Sequence, residues 1–133
     1  MRKIMNRVLG IDFGEKFVGL AISDPTRKYS LPLEVISTSA TFSHVRHLIS
    51  FEGISTVVIG LALTPSGHET KVTKGARRLA DRLTKLGVKI VFENEELSTF
   101  AAKQSQQGIT SAKLDDHLAA SIILQQYLNQ NIE

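Results

Sequence analysis

Three acidic positions far apart in the chain, Asp12, Glu95 and Asp116, are where its residue types point most directly to chemistry. Asp12 lies inside the apolar run Val8-Leu9-Gly10-Ile11-Asp12-Phe13, where an unpaired charge on a buried strand carries a heavy desolvation cost. Strand alternation puts Asp12 on the face of Val8 and Gly10 and leaves Leu9, Ile11 and Phe13 for a core. Position alone leaves two readings, a ligand or a solvated strand-end acid next to the Gly14 turn. Glu95 belongs to a group with Glu93 and Glu96 just after the last apolar strand, at the edge where open α/β sheets carry their sites. Such a group repels itself unless it is solvated or binds a cation, so a solvated acidic loop is the other reading. Asp116 falls on one helical face with Ala119, Ala120, Ile123 and Tyr127. An acid in a first helical turn is also favoured by the helix dipole, which accounts for Asp115 better than for Asp116.

Brought together at one end of a sheet, these carboxylates would form an all-oxygen donor set, which selects Mg²⁺ or Mn²⁺ over zinc. Two such ions about 4 Å apart activate a water and stabilise the leaving oxygen of a phosphodiester. The expectation is a metal-dependent nuclease whose ligands are Asp12, an acid of the Glu93, Glu95 and Glu96 group, and Asp116. The chain has no cysteine, so thiolate sites, disulfides and cysteine nucleophiles are excluded. Ser98 and Thr99 read as helix caps, because no paired base accompanies them.

The substrate-binding candidates are basic. Lys71, Lys74, Arg78, Arg82 and Lys85 fall within about 80° of one another at helical spacing, a stripe that either tracks phosphates or is simply a solvated face. Lys16 sits in the turn beside Asp12 and is the phosphate contact closest to the acids in sequence. His68 and His117 read as surface, and Asp24 before Pro25 as a turn former. A net charge of +3 permits a nucleic-acid partner without requiring one. Base stacking has few aromatic candidates, and Phe42, Phe51 and Phe92 are expected in the core.

The elements that must position these groups follow from periodicity. Arg7 to Phe13 and Phe17 to Ser23 read as a hairpin, with Leu33 to Ser37 as a third strand. Thr41 or Ser43 caps a helix running to Glu52. A buried strand at Thr56 to Leu61, a helix at Glu69 to Leu86 and a strand at Val88 to Phe92 come next. The long helix carries the stripe Val72, Ala76, Leu79, Ala80, Leu83 and Leu86 and stops at Gly87. Two more helices, Ser98 to Gln107 and Ala112 to Leu128, complete the order β-β-β-α-β-α-β-α-α. This pattern implies an α/β fold, a mixed five-stranded sheet with helices on both faces. At 133 residues and 42% apolar composition, one domain with one core is expected. The basic start Met1 to Arg7 is followed by Asp12 after four apolar residues, which leaves no signal-peptide core, and no apolar run approaches the roughly 20 residues of a membrane span. A cytoplasmic protein with no membrane partner, monomeric or weakly dimeric, is expected.

Several segments resemble the YqgF-like (RuvX) family of Holliday junction resolvases and pre-16S rRNA nucleases, which has a ribonuclease H-like fold. Gly10-Ile11-Asp12-Phe13-Gly14, Lys16, Gly19 and Ser23-Asp24-Pro25 resemble its opening hairpin. Gly60-Leu61, Leu63 and Gly67 resemble its mid-chain loop, and Glu95-Leu97-Ser98-Thr99 the segment of its second acid. Asp116-His117-Leu118-Ala119-Ala120 with Ile123-Leu124-Gln125 resembles its closing helix and third acid. The chain departs from the family pattern at Phe17, Ala62, Asn94 and Glu96, which removes positive charge near the site and sets Glu96 beside Glu95 as a rival ligand. The resemblance implies Glu95 for the second ligand, with Asp12 bridging two ions and Glu95 and Asp116 completing their shells. It also implies processing of the 5′ end of pre-16S rRNA in ribosome biogenesis, or cleavage of branched DNA. Two readings from other classes stand beside it. The first hairpin also resembles that of actin-like ATPases, which bind nucleotide between two such domains, and a nucleic-acid-binding module without turnover would carry the same surface.

Overall fold

In a computed structural model, residues 6–61, 70–94 and 112–130 are described. The elements are β1 (Arg7–Phe13), β2 (Phe17–Ser23), β3 (Ser30–Ser37), a 3-10 turn (Thr38–Ala40), α1 (Thr41–Glu52), β4 (Ile54–Leu61), α2 (Lys71–Thr84), β5 (Lys89–Asn94) and α3 (Ala112–Gln130). They form one mixed sheet of order β3-β2-β1-β4-β5. β1 is central, antiparallel to β2 and parallel to β4, while β3 and β5 form the edges. The expected helix at Ser98 to Gln107 lies outside the described residues.

Local chemistry explains most of the boundaries. The β1–β2 hairpin closes at Gly14, where an added Cβ would meet the Phe17 carbonyl oxygen at 2.4 Å. The next turn is built on Asp24, whose carboxylate accepts the N–H groups of Lys28 and Tyr29 at 2.9 Å and the Thr26 hydroxyl. Those bonds, the Thr26 hydroxyl first and the Tyr29 N–H next, lower its pKa to about 2. β3 starts at Ser30, earlier than its apolar pattern suggests. Pro32 is tolerated there because the strand is an edge and the pairing register shifts next to it.

Neither Thr41 nor Ser43 is the cap of α1. The N-cap is Ala40, because the 3-10 turn runs straight into the helix, and the Thr41 hydroxyl donates back to the Ser37 carbonyl at 3.2 Å. Gly53, at φ 68°, ends α1 in the left-handed region. α2 is capped by Thr70 in a reciprocal box with Thr73. It stops at Thr84, so Leu86 is exposed rather than part of the buried stripe, and Thr73 is buried in its place.

The sheet separates two packing layers. Leu9, Ile11, Val18, Leu20, Val57 and Ile59 meet Val45 and Leu48 of α1 and Ala76, Leu79 and Leu83 of α2. Val8, Ala21 and Val58 meet Ala120, Ile123, Leu124, Tyr127 and Leu128 of α3 on the opposite face. Two aromatics expected in the core are outside it. Phe51 is 74% exposed and stacks on His47, one turn earlier on the solvent side of α1. Phe92, on edge strand β5, is 38% exposed with the Arg77 guanidinium over its ring. Phe42 is half-buried at the margin of the larger core.

Candidate active site

Asp12 is half-buried near the C-terminal end of β1. The alternation that sends Leu9 and Ile11 into one core and Val8 into the other puts Asp12 on the α3 face, as the strand pattern requires. Its partners in register are Gly19 on β2 and Gly60 on β4. With glycine at both register partners, neither neighbouring strand places a Cβ directly beside Asp12. Asp12 thus lies at the end where three parallel strands, β1, β4 and β5, finish.

Register carries the same face one strand further. Gly60 pairs with Glu93 on β5, and Val58 with Val91, which packs in the α3-side core. Glu93 therefore shares the face of Asp12, with Gly60 between them. Burial raises the pKa of Glu93, since desolvation penalises its charged form. The sequence pattern groups Glu93 with a loop; the structure makes it the next-to-last residue of a strand. Glu95 and Glu96 lie outside the described residues.

α3 runs antiparallel to β1. Gly10 lies under Leu124 and Ala120, since a Cβ on Gly10 would sit 2.8 Å from the Leu124 Cβ and 3.1 Å from the Ala120 carbonyl oxygen. Further along the helix, Gln125 accepts the Ser30 N–H at 2.9 Å and donates to the Lys28 carbonyl at 2.9 Å. Ser30 pairs with Ser23, whose hydroxyl receives the Val8 N–H, so Gln125 marks the Val8 end of β1. The backbone of Asp116 is one turn before Ala120, about 6 Å along the helix in the direction of Asp12. Glycine at position 10 is what lets the helix come this close. The side chains of Asp116 and His117 fall outside the described set, as does His68. Among the described residues no three acids or histidines gather closely enough to hold a metal ion.

The basic candidates separate by position. Lys16 is exposed in the hairpin turn, and its carbonyl accepts the Thr38 N–H at 2.9 Å, which ties the turn to the start of the 3-10 helix. Lys71, Lys74, Arg78, Arg82 and Lys85 are all exposed, as their common helical face requires. Lys71 and Arg78 border a cavity of about 170 Å³ that reaches Gly14, whereas Lys74 lines neither this cavity nor its neighbour.

A five-stranded mixed sheet with helices on both faces and an acid on its central strand is a ribonuclease H-like fold. Two solved structures of RuvC from T. thermophilus share it. One, in complex with a Holliday junction substrate, has a TM-score of 0.61 over 94% of each chain at 14% identity. The other has a TM-score of 0.60 at 15% identity and covers 93% of this chain and 95% of that one. Sequence similarity is closer elsewhere. The RuvX family, described as Holliday junction resolvase, matches residues 6–130, and the chain belongs to that family. Its relatives include proteins of Rubrobacter xylanophilus (38% identical, covering 92% of this chain and 91% of the relative) and Dictyoglomus thermophilum (37% identical, covering 94% and 96%). Both carry the name "Putative pre-16S rRNA nuclease".

Proposed function

We propose that this chain is a metal-dependent nuclease that hydrolyses phosphodiester bonds and trims the 5′ end of pre-16S rRNA. The observation that carries the reading is Asp12, half-buried on the central strand and flanked in register by Gly19 and Gly60. An acid at the finishing edge of parallel strands is placed where such sheets carry their sites, and its two glycine neighbours add no side chain of their own beside it. The names borne by the relatives support RNA as the substrate.

Asp12, Glu95 and Asp116 would hold Mg²⁺ or Mn²⁺, two ions in all, and their oxygen-only composition suits those hard cations. When bound, the ions supply an activated water and charge neutralisation at the leaving oxygen. The chain's own residues do the remaining work. The glycines on either side of Asp12 place no Cβ in the way of a backbone phosphate. Lys16, at the tip of the hairpin, places an ammonium at the same edge. Lys71, Lys74 and Arg78 on α2 hold flanking phosphates and neutralise the strand's charge. The chain then acts as one catalytic domain in the cytoplasm, with nucleic acid as its partner, as a monomer or a weak homodimer.

A second reading, cleavage of four-way DNA junctions, is favoured by the family's description. Incubating the purified chain with Mg²⁺ or Mn²⁺ and either a pre-16S rRNA fragment or a four-way junction separates the two. The expected result is cleavage of the RNA that stops on addition of EDTA. Paired nicks in the junction with the RNA intact would select the second reading. Tight ATP binding with neither substrate cut would return the chain to the actin-like alternative.

A further inference from the structure

A cleft on the sheet face opposite Asp12 and α3 has the makings of an anion site. It measures about 280 Å³ and lies between the 3-10 turn, the start of α1 and the exposed side of α2. Phe13, Phe42 and Leu79 give it an apolar lining, Thr38 and Thr41 border it from the 3-10 turn and the start of α1, and Arg78 and Arg82 border it from α2. Among the described residues neither arginine is paired with a carboxylate. Two like charges therefore face one concave space whose described lining carries no acid, while Glu15 borders the smaller adjoining cavity.

The walls are fixed in advance of any ligand. The Thr38 hydroxyl donates to the Gly14 carbonyl at 2.8 Å, and its N–H donates to the Lys16 carbonyl, which locks the 3-10 turn to the hairpin. The Arg82 guanidinium lies 3.8 Å from the centroid of the Phe42 ring. Stacking of this kind holds an arginine in place while leaving its in-plane N–H donors to grip phosphate. The 3-10 turn and α1 begin with no acid in their first turns, so the positive pole of the helix adds to the same field.

The cleft is also continuous with the active edge. It shares Phe13, Thr38, Gly75 and Arg78 with the smaller cavity that opens at Gly14, two residues after Asp12. We propose that this cleft is a phosphate subsite for the nucleic-acid strand. A strand with its scissile phosphate at Asp12 passes over the sheet edge at Gly14 and seats a neighbouring backbone phosphate between Arg78 and Arg82. This assignment rests on the nuclease reading and adds to it the path of the substrate.

The test is binding of a short end-labelled single-stranded RNA to the full chain in EDTA, followed by anisotropy across a salt series. Arg78→Ala and Arg82→Ala should each weaken binding by roughly fivefold or more and flatten the dependence of log K on log salt by about 0.7 per lost phosphate contact. Lys89→Ala, at the other end of the sheet, should stay within about twofold of the parent. Arg78→Lys and Arg82→Lys keep the charge and should restore most of the salt slope. Parental affinity and slope in both alanine variants would overturn the proposal. So would weaker binding with an unchanged slope, which would mean lost packing on Phe42. A parallel titration with inorganic pyrophosphate separates the source of the anion. Pyrophosphate binding that needs the arginines, beside RNA binding that does not, would make the cleft a small-anion site and defeat the strand path. No cleavage occurs in EDTA, so a chain that binds through the cleft yet cuts nothing when Mg²⁺ or Mn²⁺ is restored would refute the nuclease reading and leave this one standing.

Discussion

The two faces of the sheet solve opposite problems. On the α1/α2 face, large side chains such as Leu9, Ile11, Leu20 and Ile59 fill the space between sheet and helices, and the helices stand off from the strands. On the α3 face, glycine replaces side chains at positions 10, 19 and 60, and among the described residues α3 alone lies close against the strands. The first arrangement supplies bulk burial, the main source of stability in a domain of this size. The second gives up burial for proximity, bringing the α3 backbone and the β1 carboxylate to one edge. Stability and chemistry are thus divided between the layers, and substitutions on the two faces should have different consequences.

The largest effects test that division directly. Leu124→Ala and Leu83→Ala each remove a fully buried leucine, one from each core, and each should cost about 2–5 kcal/mol in chemical denaturation. Only Leu124→Ala loosens the helix that carries Asp116, so it should also lower the cleavage rate of the folded fraction, while Leu83→Ala leaves that rate near the parental value. Equal losses of specific activity would erase the distinction between the faces.

A smaller contrast comes from adding one methyl group on each side. Gly10→Ala drives a Cβ into the Leu124 Cβ and the Ala120 backbone, which cannot move aside separately from α3. It should cost about 1–3 kcal/mol and lower activity as the helix lifts. Gly75→Ala meets the edge of the Phe13 ring, at 2.9 Å, with the Arg78 guanidinium next at an ordinary 3.9 Å, and that ring borders open space in the cleft. Alanine also favours a helix by about 1 kcal/mol over glycine, so the net change should stay within about 1 kcal/mol. Thermal melts of the pair measure the difference.

The smallest effect lies away from both faces, in the β2–β3 turn. The carboxyl of Asp24 titrates at about 2 in the folded chain, against an ordinary aspartate value of 3.8. Because the folded value is the lower one, its stabilisation is present in full above pH 4 and is lost as pH falls through 2. The group is solvent-facing, so screening limits the contribution to about 1 kcal/mol or less. Asp24→Asn should lower the melting temperature at pH 7, and the gap to the parent should close as the pH approaches 2.

Much of this architecture is legible in the sequence, for reasons the structure makes plain. β1 and β2 are bounded to the residue because alternation and the Gly14 turn are local signals. The face of Asp12 follows from the same alternation. The readings that miss depend on partners distant in sequence. Glu93 reads as loop because its membership in β5 depends on pairing with Gly60. The paired roles of Gly19 and Gly60 beside Asp12 need the register of three strands, and no single segment holds that information. The stripe on α2 is visible as charge, but Phe42 and Thr38, which turn part of it into a cleft, come from other elements. Residue type alone places Phe51 in the core, although the helical phase of α1 turns it to solvent.

The most direct trial is a single substitution, Asp12→Asn, assayed for cleavage of a pre-16S rRNA fragment in Mn²⁺ beside a thermal melt of the same sample. A melt close to the parent is expected, with a rate lower by roughly a thousandfold or more, about 4 kcal/mol in the barrier. A variant that folds and cuts at the parental rate would contradict the role given to Asp12.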